Sequence, residues 1–416
     1  MTTLPTPPRR TPRLVRVAAL PAVMALAVTG AAHASPQSVG AAGPDAASVS
    51  IRPHAAMPAQ RAQVATMPAL SATAVESELD IPWDIAVLPG GAWLITERDR
   101  LRISIRRTDG TTGVLVDAPG GFFSAGETGL MSIVADPAFE SNSRFYTCAG
   151  FSAGGKRDIR VHAWKLNAAR GGASRVDTLL SGIQVTTGRH GGCRLRFDRL
   201  KRLYVGTGDA AVGTNPQNLR SLNGKVLRLH RFNGRPSSDN PFVGSQYRNK
   251  RYVFTYGHRN VQGLALRSDG RMWSVEHGTG RDDEVNRLEP AGNYGWNPVP
   301  GYDESTPMTD FSLPGRQIGA RWRSGAPTIA TSGAVWVKGS KWGSYAGTLA
   351  VCALKDSRLV FMKFDSNGRF VSMRSPAALR DTFGRLRSVV QTADNDLLVT
   401  TANGNGTDKI IRVSPE

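Results

Sequence analysis

YGHRNVQGLALRSDGRMWSVEHGTGRDDEVNRLEPAGNYGWNP, residues 256–298, holds two short apolar runs on either side of a turn. Gly263 to Leu266 and Met272 to Val275 flank Ser268-Asp269-Gly270, the pattern of a β-hairpin. In an antiparallel pair the entry to the first strand and the exit from the second share one edge. Arg259 and Asn260 stand at the entry. Glu276, His277, Gly278, Thr279, Gly280 and the acidic trio Asp282-Asp283-Glu284 stand at the exit. A cation, an amide and glycine-opened carbonyls therefore face one way, an arrangement suited to an anionic ligand together with a metal ion.

Working outward, the same sentence recurs: an alternating strand, a turn holding Gly or Asp, an apolar strand, a loop, then a further strand. It is written at residues 82–110, 129–167, 192–234, in the hairpin above continued by EVNRLEP, and at 332–368 and 385–415. Six all-strand units of about 40 to 60 residues, with no sustained helical period, predict an all-β fold, a six-bladed β-propeller with antiparallel blades. Residues 75–79 are expected to add an outer strand to the last blade and close the ring. One face of such a propeller collects every loop that enters a first strand or leaves a second. On it fall Gly126-Glu127, Arg189-His190, Arg259-Asn260, Pro327-Thr328 and Arg385 to Arg387 as entry residues. Asp209, Glu276 to Glu284, Lys355-Asp356 and Asn403 to Asn405 are the exit residues. The opposite face receives plainer turns such as Pro89-Gly90-Gly91 and Asp394-Asn395.

Before the propeller, residues 1–34 carry Arg9, Arg10, Arg13 and Arg16, no acid, an apolar run from Val17 to Val28, and Ala32-His33-Ala34. This is the layout of a secretory signal peptide cleaved near Ala34, by the general or the twin-arginine route. The run is too short for a comfortable membrane span and Pro21 interrupts it, so no stable membrane insertion is expected. The protein is read as secreted, extracellular or periplasmic. Residues 35–71, rich in Ala, Pro, Ser and Gln, read as a flexible linker before a 72–416 propeller domain. The leader's arginines account for four of the net +19, leaving +15. No Lys/Arg-rich run with interleaved aromatics accompanies that charge, which argues against nucleic acid and for an anionic cofactor or acidic polysaccharide. Cys148, Cys193 and Cys352 allow at most one disulfide and have no zinc spacing. The match to GxSxG at 150–154 lacks a following helix, and Gly224-Lys225 lacks the rest of a P-loop.

Three groups on the predicted mouth have the right chemistry. His190, in TGRHGGCRLRF, is a candidate general base; its bland alternative is a loop histidine bonded to backbone. Arg259, Lys355, Arg385 and Arg387 bring cations from three blades, suited to a ligand's carboxylates, although any one alone is an ordinary surface charge. Gly278-Thr279 and the acidic trio offer oxygens to calcium, with an acidic turn as the plain alternative.

GHRNVQGLAL, SVEHGTGRDDEVNRLEPAGNYGWNP, GKVLRLHRFNG with SDNPF, and HGGCRLRFD followed by LYVGTGD together resemble the soluble quinoprotein glucose and aldose sugar dehydrogenases, the glucose/sorbosone dehydrogenase family. The resemblance covers residues 75–415 and is densest over 190–300. It implies a six-bladed propeller that binds pyrroloquinoline quinone (PQQ) and calcium on one face. It also implies oxidation of an aldose to its lactone and an external electron acceptor, there being no CxxCH haem motif. His190 becomes the base at the anomeric hydroxyl and Arg259 the group that polarises the quinone carbonyl, with Asn260 beside it. Lys355, Arg385, Arg387, Thr328 and Glu127 fall at cofactor positions. The carbonyls of Gly278 and Thr279 become ligands of the cofactor's calcium, and Glu284 and Tyr294 match a second calcium position. The departures are Thr279 in place of proline, Glu127 in place of glutamine, Ala326 in place of a pocket aromatic, and Arg189 in place of an acid before the base. They favour a broad aldose dehydrogenase over a glucose-specific one. The remaining alternatives are a non-catalytic propeller binding a protein or glycan, and a calcium-dependent lactonase. Oligomeric state is left open, a homodimer included.

Overall fold

Each inner strand begins with a bulge at its mouth end, and that repeated irregularity aims the blades' polar residues at a common axis. The pairing with the second strand slips between Pro82 and Asp84, Leu130 and Ile133, Gly192 and Arg194, Val261 and Gly263, Thr331 and Ala334, and Leu386 and Ser388. A bulge leaves one residue unpaired and turns its side chain out of the sheet's alternation. Arg387 is one such residue. The computed structural model describes residues 67–416. Its sheets are six antiparallel four-stranded blades spanning 82–116, 130–184, 192–256, 261–323, 331–374, and 386–415 together with Leu70–Leu79. The six-bladed propeller predicted from the repeats is the fold observed.

The second strands read as largely apolar runs because neighbouring blades cover both of their faces. Trp93–Glu97, Met272–Glu276, Leu349–Ala353 and Leu397–Thr401 are buried at every residue. Cores form between blades: Met131, Tyr146, Val161, Leu195 and Val205 join blades 2 and 3, and Val275, Val285, Trp336 and Val351 join 4 and 5. The Cys148–Cys193 disulfide crosses the first of these interfaces, while Cys352 is a buried free thiol. It is the one disulfide that the three cysteines permit.

The fourth strands escape a three-strand reading of the sequence because they are outermost and mixed in polarity. Thr112–Val116, Ala173–Gln184, Val253–Tyr256, Trp322–Arg323 and Phe370–Arg374 complete blades 1 to 5. The closing strand is longer than 75–79. It runs Leu70–Leu79 against Asp408–Pro415, so Leu70 and Ser71 belong to the sheet and not to the expected linker. The expected leader, 1–34, and linker residues 35–66 lie outside the described residues. Among the described residues no helix is long and apolar enough to cross a membrane.

At the axis all six inner strands meet in one polar hub. Arg194 is fully buried, 2.7 Å from Asp84 Oδ1 through Nη1, and its Nε donates to Gln262 O at 2.8 Å. Ser132 and Ser388 hydroxyls donate to the two Asp84 oxygens at 2.6 and 2.8 Å, and Arg196 Nη1 donates to Oδ2 at 3.0 Å. Ser332 donates to Arg387 O at 2.7 Å. Burial alone would raise the Asp84 carboxyl, but Arg194 and Arg196 hold it far below the usual range. Lys225, in the rejected P-loop match, is a buried strand residue whose Nζ donates to Asn215, Pro216 and Asn223 carbonyls.

Candidate active site

His190 sits in the turn two residues before the innermost strand of blade 3, Gly192–Phe197, in a left-handed backbone conformation, φ 53°. A non-glycine residue holds that geometry only when its surroundings over-determine it. Here Glu127 Oε2 accepts the His190 N–H at 3.1 Å, and the exit of the next strand presses against the loop from below. A Cβ on Gly208 would come within 1.8 Å of His190 O, which explains the glycine in LYVGTGD. The imidazole is buried, and its Nδ1 lies 2.8 Å from Asp209 Oδ1. Asp209, fully buried, also accepts from Ala211 N, from the Trp296 indole at 2.8 Å and from the Tyr302 hydroxyl at 2.7 Å. Facing a carboxylate, Nδ1 carries the ring proton and Nε2 is left as the acceptor. A neutral imidazole so oriented can remove a proton from a hydroxyl, and the carboxylate behind it stabilises the cation that forms.

Around His190 several of the predicted mouth residues converge. Asn260 is fully buried: Nδ2 donates to Glu127 Oε2 at 3.1 Å, and Oδ1 accepts from Gly192 N and Gln262 Nε2. Arg259 Nη1 donates to His277 O at 3.3 Å, Nη2 to Glu304 Oε1 at 2.5 Å, and its Nε is buried without a partner. Arg387 donates to Gln262 Oε1 at 3.2 Å, packs over Trp83, and likewise leaves Nε buried and unpartnered. Burial, with Arg98 and Arg194 nearby, pushes the Arg387 guanidinium down to about 9. Burial and then the charges of Arg387 and Arg259 drive His277 well below the ordinary histidine range, so its ring is neutral, with Nε2 unpartnered. Thr328 is buried, whereas Lys355 and Arg385 are exposed at the rim.

The acidic trio does not act as a unit. Asp282 pairs with Arg281 at 3.0 Å. Asp283 is saturated by backbone: Oδ1 accepts Gly278 N at 2.9 Å, and Oδ2 accepts Ile329 N and Ala330 N at 2.7 and 2.6 Å. Glu284 opens a strand and faces Glu276 across it. Among the described residues no group of three or more His, Cys, Asp or Glu gathers in a metal-holding geometry. Three consecutive acids on a turn simply point three ways. The loop is nonetheless tight, since a Cβ on Gly278 would meet Arg281 O at 2.1 Å. Tyr294 is buried against His258, its hydroxyl donating to Arg287 O at 2.6 Å and accepting from Glu289 N at 3.0 Å.

Three participants carry no sequence signal of their own. Asp209 is legible only as a mouth residue, not as the partner of His190. Tyr302 and Glu304 lie in the long irregular segment after the GHRN hairpin, where the one hint is that a loop of such length in a compact domain tends to carry function. Arg189 Nη2 donates to Glu304 Oε1 and Oε2 at 2.6 and 2.8 Å, so this carboxylate bridges Arg189 and Arg259. Burial would raise Glu304, but the two arginines hold it at about 2.

The sequence and the fold have counterparts. The family model described as Glucose / Sorbosone dehydrogenase matches residues 79–412. Aldose sugar dehydrogenase YliI of Escherichia coli is 27% identical over 353 residues, covering 82% of this chain and 92% of that one. The PQQ-bound aldose sugar dehydrogenase of Streptomyces coelicolor superposes with a TM-score of 0.71 at 28% identity, over 84% of this chain and all of that one. The soluble aldose sugar dehydrogenase of E. coli in its apo-form gives 0.75 at 25% identity, over 83% of this chain and all of that one. A propeller whose matched region spans all six blades and whose mouth holds a His–Asp pair ringed by arginines thus belongs to the glucose/sorbosone dehydrogenase family.

Proposed function

We propose that this protein is an exported, PQQ- and calcium-dependent aldose dehydrogenase that oxidises the anomeric hydroxyl of an aldose to the lactone. One observation carries the reading. His190, oriented by Asp209, opens on a mouth whose cations come from three other blades: Arg259, Lys355, and Arg385 with Arg387. The buried, unpartnered nitrogens of Arg259, Arg387 and His277 support a ligand rich in carboxylates and carbonyls, because uncompensated buried donors are costly and PQQ would satisfy them.

PQQ, when bound, supplies the hydride acceptor. His190 Nε2 takes the anomeric hydroxyl proton, and Asp209 stabilises the resulting imidazolium. Arg259 would be the residue whose N–H groups stabilise negative charge on a carbonyl of bound PQQ. Asn260, both amide atoms committed, keeps Glu127 and the base loop in place. Lys355, Arg385, Arg387 and Thr328 would hold PQQ. Asp283 absorbs the loop's N–H groups, so what Gly278 and Thr279 offer a hard cation is carbonyl oxygen. The second calcium position is supported by a different observation. Glu284 Oε1 and Asn286 Oδ1 are buried without partners beside Glu276, and burial together with that like charge drives the Glu284 carboxyl well above its usual range. An oxygen-only donor set of this kind fits calcium. Since the Tyr294 hydroxyl is committed, that residue would contribute its backbone carbonyl. An external acceptor removes the electrons.

The test is dye-linked oxidation of a panel of aldoses by purified apo-protein, with and without PQQ and calcium. Activity that requires both additions supports the reading. Absence of quinone binding, followed by absorbance, refutes it.

A further inference from the structure

Among the described residues Glu304 is the one carboxylate bonded to the arginine beside the base and to the arginine of the proposed quinone contact at the same time. It stands two residues after Tyr302, whose hydroxyl lies 2.9 Å from His190 Nδ1. Arg189 is the residue before His190, and its guanidinium also packs over the Tyr302 ring at 5.5 Å. Three ties therefore fix Glu304 with respect to the imidazole: Arg189, Arg259, and the short path through Tyr302 to Asp209. A carboxylate has about four acceptor directions. Oε1 uses two, on Arg189 and Arg259, and Oε2 uses one, on Arg189. One direction on Oε2 stays open, and the side chain is 37% exposed.

An aldose presents hydroxyl donors, and the one on the carbon next to the anomeric carbon is a chemical match for the open acceptor direction of Glu304. Resting on the function proposed above, we propose that Glu304 is a specificity-determining residue, accepting a hydrogen bond from the sugar hydroxyl adjacent to the anomeric carbon. Its two arginines are its positioning groups. They keep the carboxylate charged and fix its free lone pair, so the bond is charge-assisted and directional. The site then selects aldoses that carry a hydroxyl at that carbon over their 2-deoxy analogues.

The experiment compares D-glucose with 2-deoxy-D-glucose on the PQQ- and calcium-loaded protein, for the wild type, Glu304→Gln and Glu304→Ala. Each protein is also titrated with PQQ and followed by quinone absorbance. The wild type should favour glucose in kcat/KM by on the order of 10- to 100-fold, the range for one charge-assisted hydrogen bond. Glu304→Ala should erase most of that preference through a higher KM for glucose, leaving KM for the deoxy sugar and the PQQ titration little changed. Glu304→Gln, which keeps an acceptor but loses the charge, should fall between them. An unchanged preference in both variants overturns the proposal. So does a PQQ titration that tightens without any change in sugar preference, since that marks Glu304 as a carboxylate that only occupies Arg259 until the cofactor arrives. If the wild type binds no PQQ, the proposed function fails, and this inference fails with it.

Discussion

Replacing Asp209 with asparagine separates the base from the group that orients it. Four donors converge on the two carboxylate oxygens: His190 Nδ1 and Ala211 N on Oδ1, Trp296 Nε1 and Tyr302 Oη on Oδ2. An asparagine amide can replace only one of those oxygens without turning a donor toward donors. With the NH2 on the His190 side, the imidazole must switch tautomer, Nε2 acquires the proton, and the base is lost. With it on the other side, the buried Trp296 indole is orphaned and the imidazolium loses a negative neighbour. A hydrogen bond to a charged group is worth about 1.5–3 kcal/mol, which converts to roughly 10- to 150-fold in rate. The complete general base is worth about 10²- to 10⁴-fold, and His190→Ala sets that floor. Asp209→Asn should therefore lower kcat about 100-fold with little change in KM, measured by dye-linked turnover on the loaded protein. Urea unfolding of the same variant should show a loss of about 1–3 kcal/mol from the orphaned donor. Turnover within twofold of the wild type would refute the assignment of His190 as an Asp209-oriented base.

Other elements give independent predictions. Asp84→Ala strands Arg194 in the hub and should cost about 3–5 kcal/mol in denaturant unfolding. Because the folded-state Asp84 carboxyl lies far below its unfolded value, its stabilisation is fully present above about pH 4 and is lost as pH falls further. The wild type should thus show an acid-unfolding limb below about pH 4, and Asp84→Asn should flatten it. The disulfide closes a separation of 45 residues, for which the chain-entropy relation gives about 4 kcal/mol. Cys148→Ser with Cys193→Ser should lower thermal stability accordingly, while a variant at the buried thiol, Cys352→Ala, should leave the disulfide intact by mass. Arg387→Gln should weaken PQQ binding at least tenfold in an absorbance titration while retaining the fold by circular dichroism, since it removes a buried cation with a spare N–H.

The propeller was legible because the inner and second strands are buried, and burial on both faces writes itself as apolar runs. Outer strands such as Phe370–Arg374 are largely solvent-exposed and carry no such constraint, so blades 1 to 5 each read one strand short. His190, Arg259 and Arg387 were legible because the hairpin rule sends blade entries to one face, and the structure connects them there through Asn260, Glu127 and Gln262. The acidic trio separates for a local reason. Asp282 adopts φ 60°, Asp283 turns back onto three backbone amides, and Glu284 enters a strand, so adjacency in sequence separates the carboxylates in space. Tyr302 and Glu304 were illegible because an irregular loop has no period to place a side chain. Only the fold brings residue 304 to residue 189.

The central proposal is that His190 is the base for the anomeric hydroxyl, with PQQ, held by the arginine-lined mouth, supplying the hydride acceptor. The most direct measurement is a single turnover without external acceptor. PQQ- and calcium-loaded wild type and His190→Ala are mixed anaerobically with excess aldose, and the quinone absorbance is followed in time. The account predicts rapid bleaching in the wild type and bleaching slower by about 10²- to 10⁴-fold in the variant, from equal starting absorbance. Equal bleaching rates would contradict it.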